Sequence, residues 1–191
     1  MDRIQEAMNV CYYAHGSQLD KSEGIYMFHP LRVRDNLIAH PAFAKLSKPA
    51  QQDAEVAALL HDVIEDSPKF GYRKYKSQDL LDLGFTKRSI ELVVLLTRTK
   101  EVNDEDYYAA IRSNKLARLV KWADLADNLN EERVGKLDEK LRNRLAKKYA
   151  HALEELPMDK ATVTWLEDRK KVEIPYRHWE KSRWIDEWAE S

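Results

Sequence analysis

Cysteine is nearly absent from this chain, glycine and proline are scarce, and no apolar run is long. A single cysteine, Cys11, in 191 residues excludes an intramolecular disulfide and suits a reducing compartment. In its apolar helical pattern it reads as a core residue rather than a nucleophile. Five glycines and six prolines are few for a sandwich, barrel or loop-rich design, which spend these residues on turns. The most apolar run, Leu92 to Leu96, is far short of the roughly 20 residues that span a bilayer as a helix, so no membrane is expected as a partner. Polar residues as early as Asp2, Arg3, Gln5 and Glu6 show no secretory signal. An excess of charge of either sign is also lacking. Lys and Arg number 32 against 33 Asp and Glu, a net charge of -1, which leaves no basic field for generic nucleic-acid binding. The expected location is the cytoplasm, and any partner must be recognised locally.

What remains is 43% hydrophobic and 34% charged residues, rich in the helix formers Ala, Leu, Lys, Glu and Arg. That composition predicts an all-α fold with a real core. Ile4, Ala7, Met8, Cys11 and Ala14 recur at helical spacing, giving a first helix over residues 3 to about 15. Residues 16–28 are polar with two glycines and form a surface loop of the kind that carries binding groups. His29-Pro30 then opens the next helix. Pro49 opens a third, running through Asp66 and ended by Ser67-Pro68. Leu92 to Leu96 reads as helix because no other strand exists to pair with it. A long helix covers Leu137 to Leu156. The domain is expected over residues 1–157. A Trp-rich extension, 158–191, carries Trp165, Trp179, Trp184 and Trp188. It either docks back on its own domain or serves a partner, leaving a homo-oligomer open.

One stretch breaks the amphipathic rule. Ala57 to Leu60 are core residues, but His61, Asp62, Glu65 and Asp66 follow where apolar residues should continue. On a continuous helix at about 100° per residue these four share one half of the surface. Carboxylates near a helix C-terminus oppose the macrodipole, so their presence there calls for another reason. An imidazole beside a carboxylate holds divalent ions, and two more carboxylates order or deprotonate a water. A second break falls in the helix from Leu116 onward, where Asp124 lies on the face of Leu116, Leu119, Val120 and Ala123, with Asn128 one turn later. A buried carboxylate needs a partner. Either a metal or a salt bridge to Arg118 or Lys121 supplies it. His29, His61, Asp62 and Asp124 together make a mixed nitrogen and oxygen set that suits Mn, Fe, Zn or Ni. His15 and His40 carry no such reading.

His29-Pro, the block His61-Asp62-Val-Ile-Glu65-Asp66 and the run Lys121-Trp-Ala-Asp124-Leu-Ala-Asp-Asn128 resemble, in order, the motifs of HD-domain metal-dependent phosphohydrolases. More narrowly, they are similar to the hydrolase domains of RelA/SpoT-type stringent-response enzymes and the small alarmone hydrolases. The loop from Gln18 to His29 is similar to that group's nucleotide loop. The resemblance spans residues 1–155. It implies an all-helical HD bundle, one Mn(II), and removal of the 3′-pyrophosphate from (p)ppGpp to give GDP or GTP, without a synthetase activity. By position, His29, His61, Asp62 and Asp124 are the implied metal ligands, and Glu65 and Asp66 the implied handlers of the attacking water. Lys21, Ser22, Tyr26 and Asn128 are the implied contacts to the nucleotide.

Two positions depart from the pattern. Asp20 stands where the family commonly stacks an arginine on guanine, and Glu131 replaces a threonine after the late motif. Asp20 is expected to repel phosphates, which opens a second reading in which the substrate is a 3′-phosphorylated nucleotide or the 2′-phosphate of NADPH. A non-catalytic nucleotide sensor is a third reading, disfavoured because a sensor needs no water-activating pair.

Overall fold

The computed structural model describes residues 2–173, which form eleven helices and, among the described residues, no strand. Helix α1 (Arg3–His15) starts where the Asp2 carboxylate accepts the Ile4 N–H at 2.9 Å. It stops at Gly16, whose φ of 38° only glycine adopts without strain. A Cβ at Gly16 would also meet the Phe70 carbonyl at 2.7 Å, so this glycine permits the close approach of the next segments. The loop that follows is closed by one isolated bridge, Leu19 to Ile25. Helix α2 (Phe28–Ile38) begins two residues before Pro30. The proline is tolerated because first-turn N–H groups have no intrahelical acceptor.

Helix α3 (Lys48–Leu60) and helix α4 (Val63–Phe70) replace the single helix expected through Asp66. The backbone opens at Asp62, with φ -102° and ψ -3°. The ladder restarts when the Asp66 N–H bonds to the Asp62 carbonyl at 2.9 Å. Glu65 and Asp66 therefore lie in the first turn of a new helix, where the macrodipole favours carboxylates rather than opposing them. Ser67-Pro68 does not end this helix either. Pro68 forfeits one bond, and the ladder resumes with Gly71 N–H to the Ser67 carbonyl at 3.1 Å.

The remaining helices are α5 (Ser77–Asp82), α6 (Lys87–Leu96), α7 (Asp104–Ser113), α8 (Lys115–Asn128), the short α9 (Glu131–Gly135), α10 (Glu139–Glu155) and α11 (Lys160–Arg169). Thr86 caps α6 by accepting the Ser89 N–H, and the run 92–96 is helical as its lack of strand partners requires. Before α5, the Asp79 carboxylate reaches back to accept the Lys76 N–H at 2.7 Å. α9, absent from the sequence reading, is capped by Asn130.

Alanines of α3, namely Ala50, Ala54, Ala57 and Ala58, are almost fully buried. Their small side chains let α1, α2, α6 and α8 crowd around this helix. Leu37, Leu59, Leu60, Ile111, Leu119 and Leu125 fill the space between, each buried leucine contributing about 1.5–3 kcal/mol. Cys11 is in this core, its thiol donating to the Leu59 carbonyl, and burial pushes its pKa up. It is inert. α11 packs on α8 through the buried Trp165 and Leu166. Trp179, Trp184 and Trp188 lie outside the described residues.

Candidate active site

Three elements deliver the polar residues singled out by sequence to one point. His29 comes from the first turn of α2, His61 ends α3, Asp62 occupies the break before α4, and Asp124 projects from α8. His29 Nε2 lies 3.3 Å from Asp124 Oδ1 and 3.8 Å from Asp62 Oδ2. His61 Nε2 lies 3.0 Å from Asp62 Oδ2 and 3.8 Å from Asp124 Oδ1. Ligand atoms of His29, His61 and Asp124 fall within 4.8 Å of one another, and all three residues are buried.

Hydrogen bonds decide which way these imidazoles present their lone pairs. His61 Nδ1 is 2.8 Å from the Ala58 carbonyl, which can only accept, so Nδ1 carries the proton. His29 Nδ1 is likewise 2.7 Å from Asp127 Oδ2. In the neutral rings both Nε2 atoms are then lone pairs facing carboxylate oxygens, His61 Nε2 lying 3.0 Å from Asp62 Oδ2. Acceptors facing acceptors repel unless a cation or proton lies between them. Two nitrogens and two oxygens fit a divalent transition metal. Protonation competes for the same place: burial alone would lower the His61 pKa, but Asp62 and Asp124 raise it to about 9. The carboxyl of Asp62, despite its burial, is held well below the usual range by His61. Lys121 likewise outweighs the desolvation of Asp124.

A second layer of groups holds the four in place. Asp124 uses both oxygens: Oδ2 accepts Lys121 Nζ at 2.7 Å and Oδ1 accepts Asn128 Nδ2 at 2.6 Å. The salt bridge weighed from sequence thus coexists with the side facing the histidines. Tyr149 donates to Asn128 Oδ1 at 3.2 Å. The Tyr26 hydroxyl, its pKa raised by burial and by Asp62, donates to Asp62 Oδ2. Asp127, which the sequence reading passed over, receives His29 Nδ1–H, Arg32 Nε–H at 2.6 Å and a guanidinium N–H of Arg133. Like Asp124, it is a carboxylate on a buried face of α8 and so requires a partner. Histidine ligands commonly lean on such a carboxylate to fix their tautomer.

A cavity of about 380 Å³ opens from this point, lined by Lys21, Tyr26, His29, Asp62, Glu65, Asp66, Arg98, Lys121, Asp124, Asn128, Arg133, Lys148 and Tyr149 among others. Glu65 has its pKa raised by burial and by the Asp62 and Asp66 charges, against the opposing Lys69. Lys21 is pushed down by desolvation and by the like charges of Lys148, Arg133 and Arg144, against the opposing Asp124 charge. Ser22 does not line this cavity; it borders a smaller recess next to it, of about 20 Å³. Its hydroxyl donates to Asp20 Oδ1 at 2.7 Å.

Asp20 corrects an expectation. Its Oδ1 also accepts the Ser22 and Gly24 N–H groups at 2.8 and 3.0 Å, and its Oδ2 faces Arg133 at 3.3 Å and Arg32 at 3.9 Å. Asp20 still lines the cavity, but its charge is offset within the loop, because Arg133 and the hydrogen bonds from Ser22 and Gly24 outweigh the desolvation that opposes ionisation. Glu131 begins α9, with its N–H bonded to the Lys170 carbonyl at 2.9 Å, and is not among the cavity residues.

No family model matches the chain, and no curated protein matches it. Among solved structures, its fold is similar to that of a metazoan ortholog of SpoT, described as hydrolysing ppGpp and playing a role in starvation responses. The TM-score is 0.64 at 22% sequence identity, over 88% of this chain and 94% of that one. The two chains share the fold, which in this chain is all-helical among the described residues, as expected from the sequence. Among the described residues no helix is long and apolar enough to cross a membrane.

Proposed function

We propose that this chain is a divalent-metal-dependent phosphohydrolase whose substrate is (p)ppGpp, from which it removes the 3′-pyrophosphate to leave GDP or GTP. The reading rests on one observation: lone pairs of His29, His61, Asp62 and Asp124 converge at the floor of a cavity that Glu65 and Asp66 also line. These four residues hold the ion, Mn(II) in this proposal, although the donor set accepts other transition metals. When bound, such an ion polarises a phosphoryl oxygen and makes water more acidic. Glu65, with its raised pKa, accepts the proton of the attacking water, and Asp66 orients that water. Lys21, Arg133 and Lys148 offset phosphate charge at the mouth, while Tyr26 and Asn128 border the nucleotide and brace Asp62 and Asp124. The activity described for the similarly folded SpoT ortholog supports the choice of substrate.

Asp20 favours keeping a second reading beside it. With its carboxylate turned into the loop and paired with Arg133, this position gives nothing to stack on a guanine. The same chemistry would then serve a 3′-phosphorylated nucleotide or the 2′-phosphate of NADPH. The test is turnover of ppGpp, NADPH and 3′-phosphorylated nucleotides by protein stripped with EDTA and then supplied with Mn(II). Release of pyrophosphate from ppGpp only after metal return, and its loss in His61→Ala, is the expected result. Faster release of orthophosphate from NADPH would move the assignment to the second reading. Metal-independent turnover would overturn both.

A further inference from the structure

Among the buried histidines, His15 lies outside the metal-facing group yet is wired to the acid pair. It ends α1 and is 1% exposed, with Nδ1 2.9 Å from Gln18 Oε1. Gln18 Nε2 in turn lies 2.8 Å from Asp66 Oδ2. A carboxylate only accepts, so Gln18 must turn its NH₂ toward Asp66, leaving its carbonyl for His15. That carbonyl only accepts as well, so the proton of His15 is on Nδ1. The orientation of each group dictates the next. His15 Nε2 is left as a lone pair, buried and without a hydrogen-bond partner, and burial lowers the His15 pKa in keeping with a neutral ring. The same imidazole packs on Tyr26 with ring centroids 4.8 Å apart, and Tyr26 packs on His29 at 5.3 Å.

We infer that His15 and Gln18 form a positioning relay that holds the Asp66 carboxylate in one orientation, Oδ2 saturated by Gln18 and Oδ1 left for the attacking water. The role of Asp66 in this relay rests on the phosphohydrolase reading. Lys69, an exposed ammonium 3.5 Å from Oδ1, does not pin that oxygen as Gln18 pins the other. Neither His15 nor Gln18 touches the substrate, so both act through Asp66. Misplacing a reacting group by an ångström is enough to cost about 100-fold in rate.

Two measurements test the relay. The first needs no turnover: ¹⁵N NMR of the His15 ring in the full chain should show the Nδ1–H tautomer. An Nε2–H tautomer overturns the relay, because Gln18 would then have turned its carbonyl toward Asp66. The second is a kinetic series. Gln18→Ala should lower kcat about 10- to 100-fold at unchanged KM and Mn(II) content. His15→Asn places an amide NH₂ where Nδ1 was and should keep kcat near that of the parent, whereas His15→Gln places it at the Nε2 position and should fall like Gln18→Ala. If the two His15 variants behave alike, or Gln18→Ala keeps full kcat while Asp66→Asn loses it, the relay is wrong and the phosphohydrolase reading stands. If Asp66→Asn keeps its activity, the role given to Asp66 falls. A parent protein that turns over none of the phosphates would sink the phosphohydrolase reading instead, with the tautomer still deciding the hydrogen-bond relay.

Discussion

Asp127 Oδ2 lies 2.7 Å from His29 Nδ1, and the same carboxylate is shared with Arg32 and Arg133. Those two guanidiniums also face Asp20 in the loop before α2. A ring of alternating charge thus joins the orientation of one metal-facing histidine to the shape of the loop that roofs the cavity.

Replacing Asp127 with Asn removes the charge that fixes the His29 tautomer while keeping the volume. Affinity for Mn(II), read by calorimetry, should fall about 10- to 100-fold. An unchanged affinity would mean that α2 packing alone orients the ring.

Glu65→Gln keeps the shape of the raised-pKa acid and removes its capacity to take a proton. Turnover should drop by roughly 10²- to 10⁴-fold with Mn(II) binding intact, because Glu65 is not among the four metal-facing residues. Parallel loss of metal would assign Glu65 to the ion instead.

Asp20→Ala strips the loop of an acceptor for three hydrogen bonds and should cost about 1–3 kcal/mol in urea unfolding, with KM raised more than kcat is lowered. Asp20→Asn keeps an acceptor oxygen for the loop and releases positive charge on Arg133, so its KM should equal or undercut that of the parent. Equal KM values in Asp20→Asn and Asp20→Ala would show that the loop hydrogen bonds, for which only Asp20→Asn keeps an acceptor, do not set substrate affinity.

His40 is buried between Trp122 and Trp165, and its Nδ1 accepts the Ala42 N–H at 3.1 Å. Burial lowers its pKa below 6.5, against the opposing Asp159 charge. The unfolded chain therefore takes up this proton first, and stability that is complete above the unfolded value is lost as pH falls below it. The Tm advantage of the parent over His40→Asn should shrink as pH drops from about 7.5 to 5. A gap independent of pH would refute the assignment.

Much of this was legible without coordinates. Hydrophobic periodicity places α1, α6 and α8 because a buried face repeats every three to four residues whatever it packs against. The polar interruptions at His61, Asp62 and Asp124 stand out because burying such groups without partners is expensive. Periodicity does not report where a helix is cut. His61 to Asp66 were read on one helix, yet the backbone opens at Asp62 and reverses the electrostatic sense of the acid pair.

By itself, then, the chain's order of residues determined an all-helical core and which polar side chains had to find partners inside it. Only the tertiary structure decided who those partners are: Asp127 for His29, Arg133 for Asp20, Gln18 for Asp66. Residues 29 and 127 are separated by nearly a hundred positions, and their 2.7 Å contact is created by the packing of α2 on α8. A hydrogen bond selects distances of a few tenths of an ångström, a precision that side-chain type and spacing along the chain do not carry.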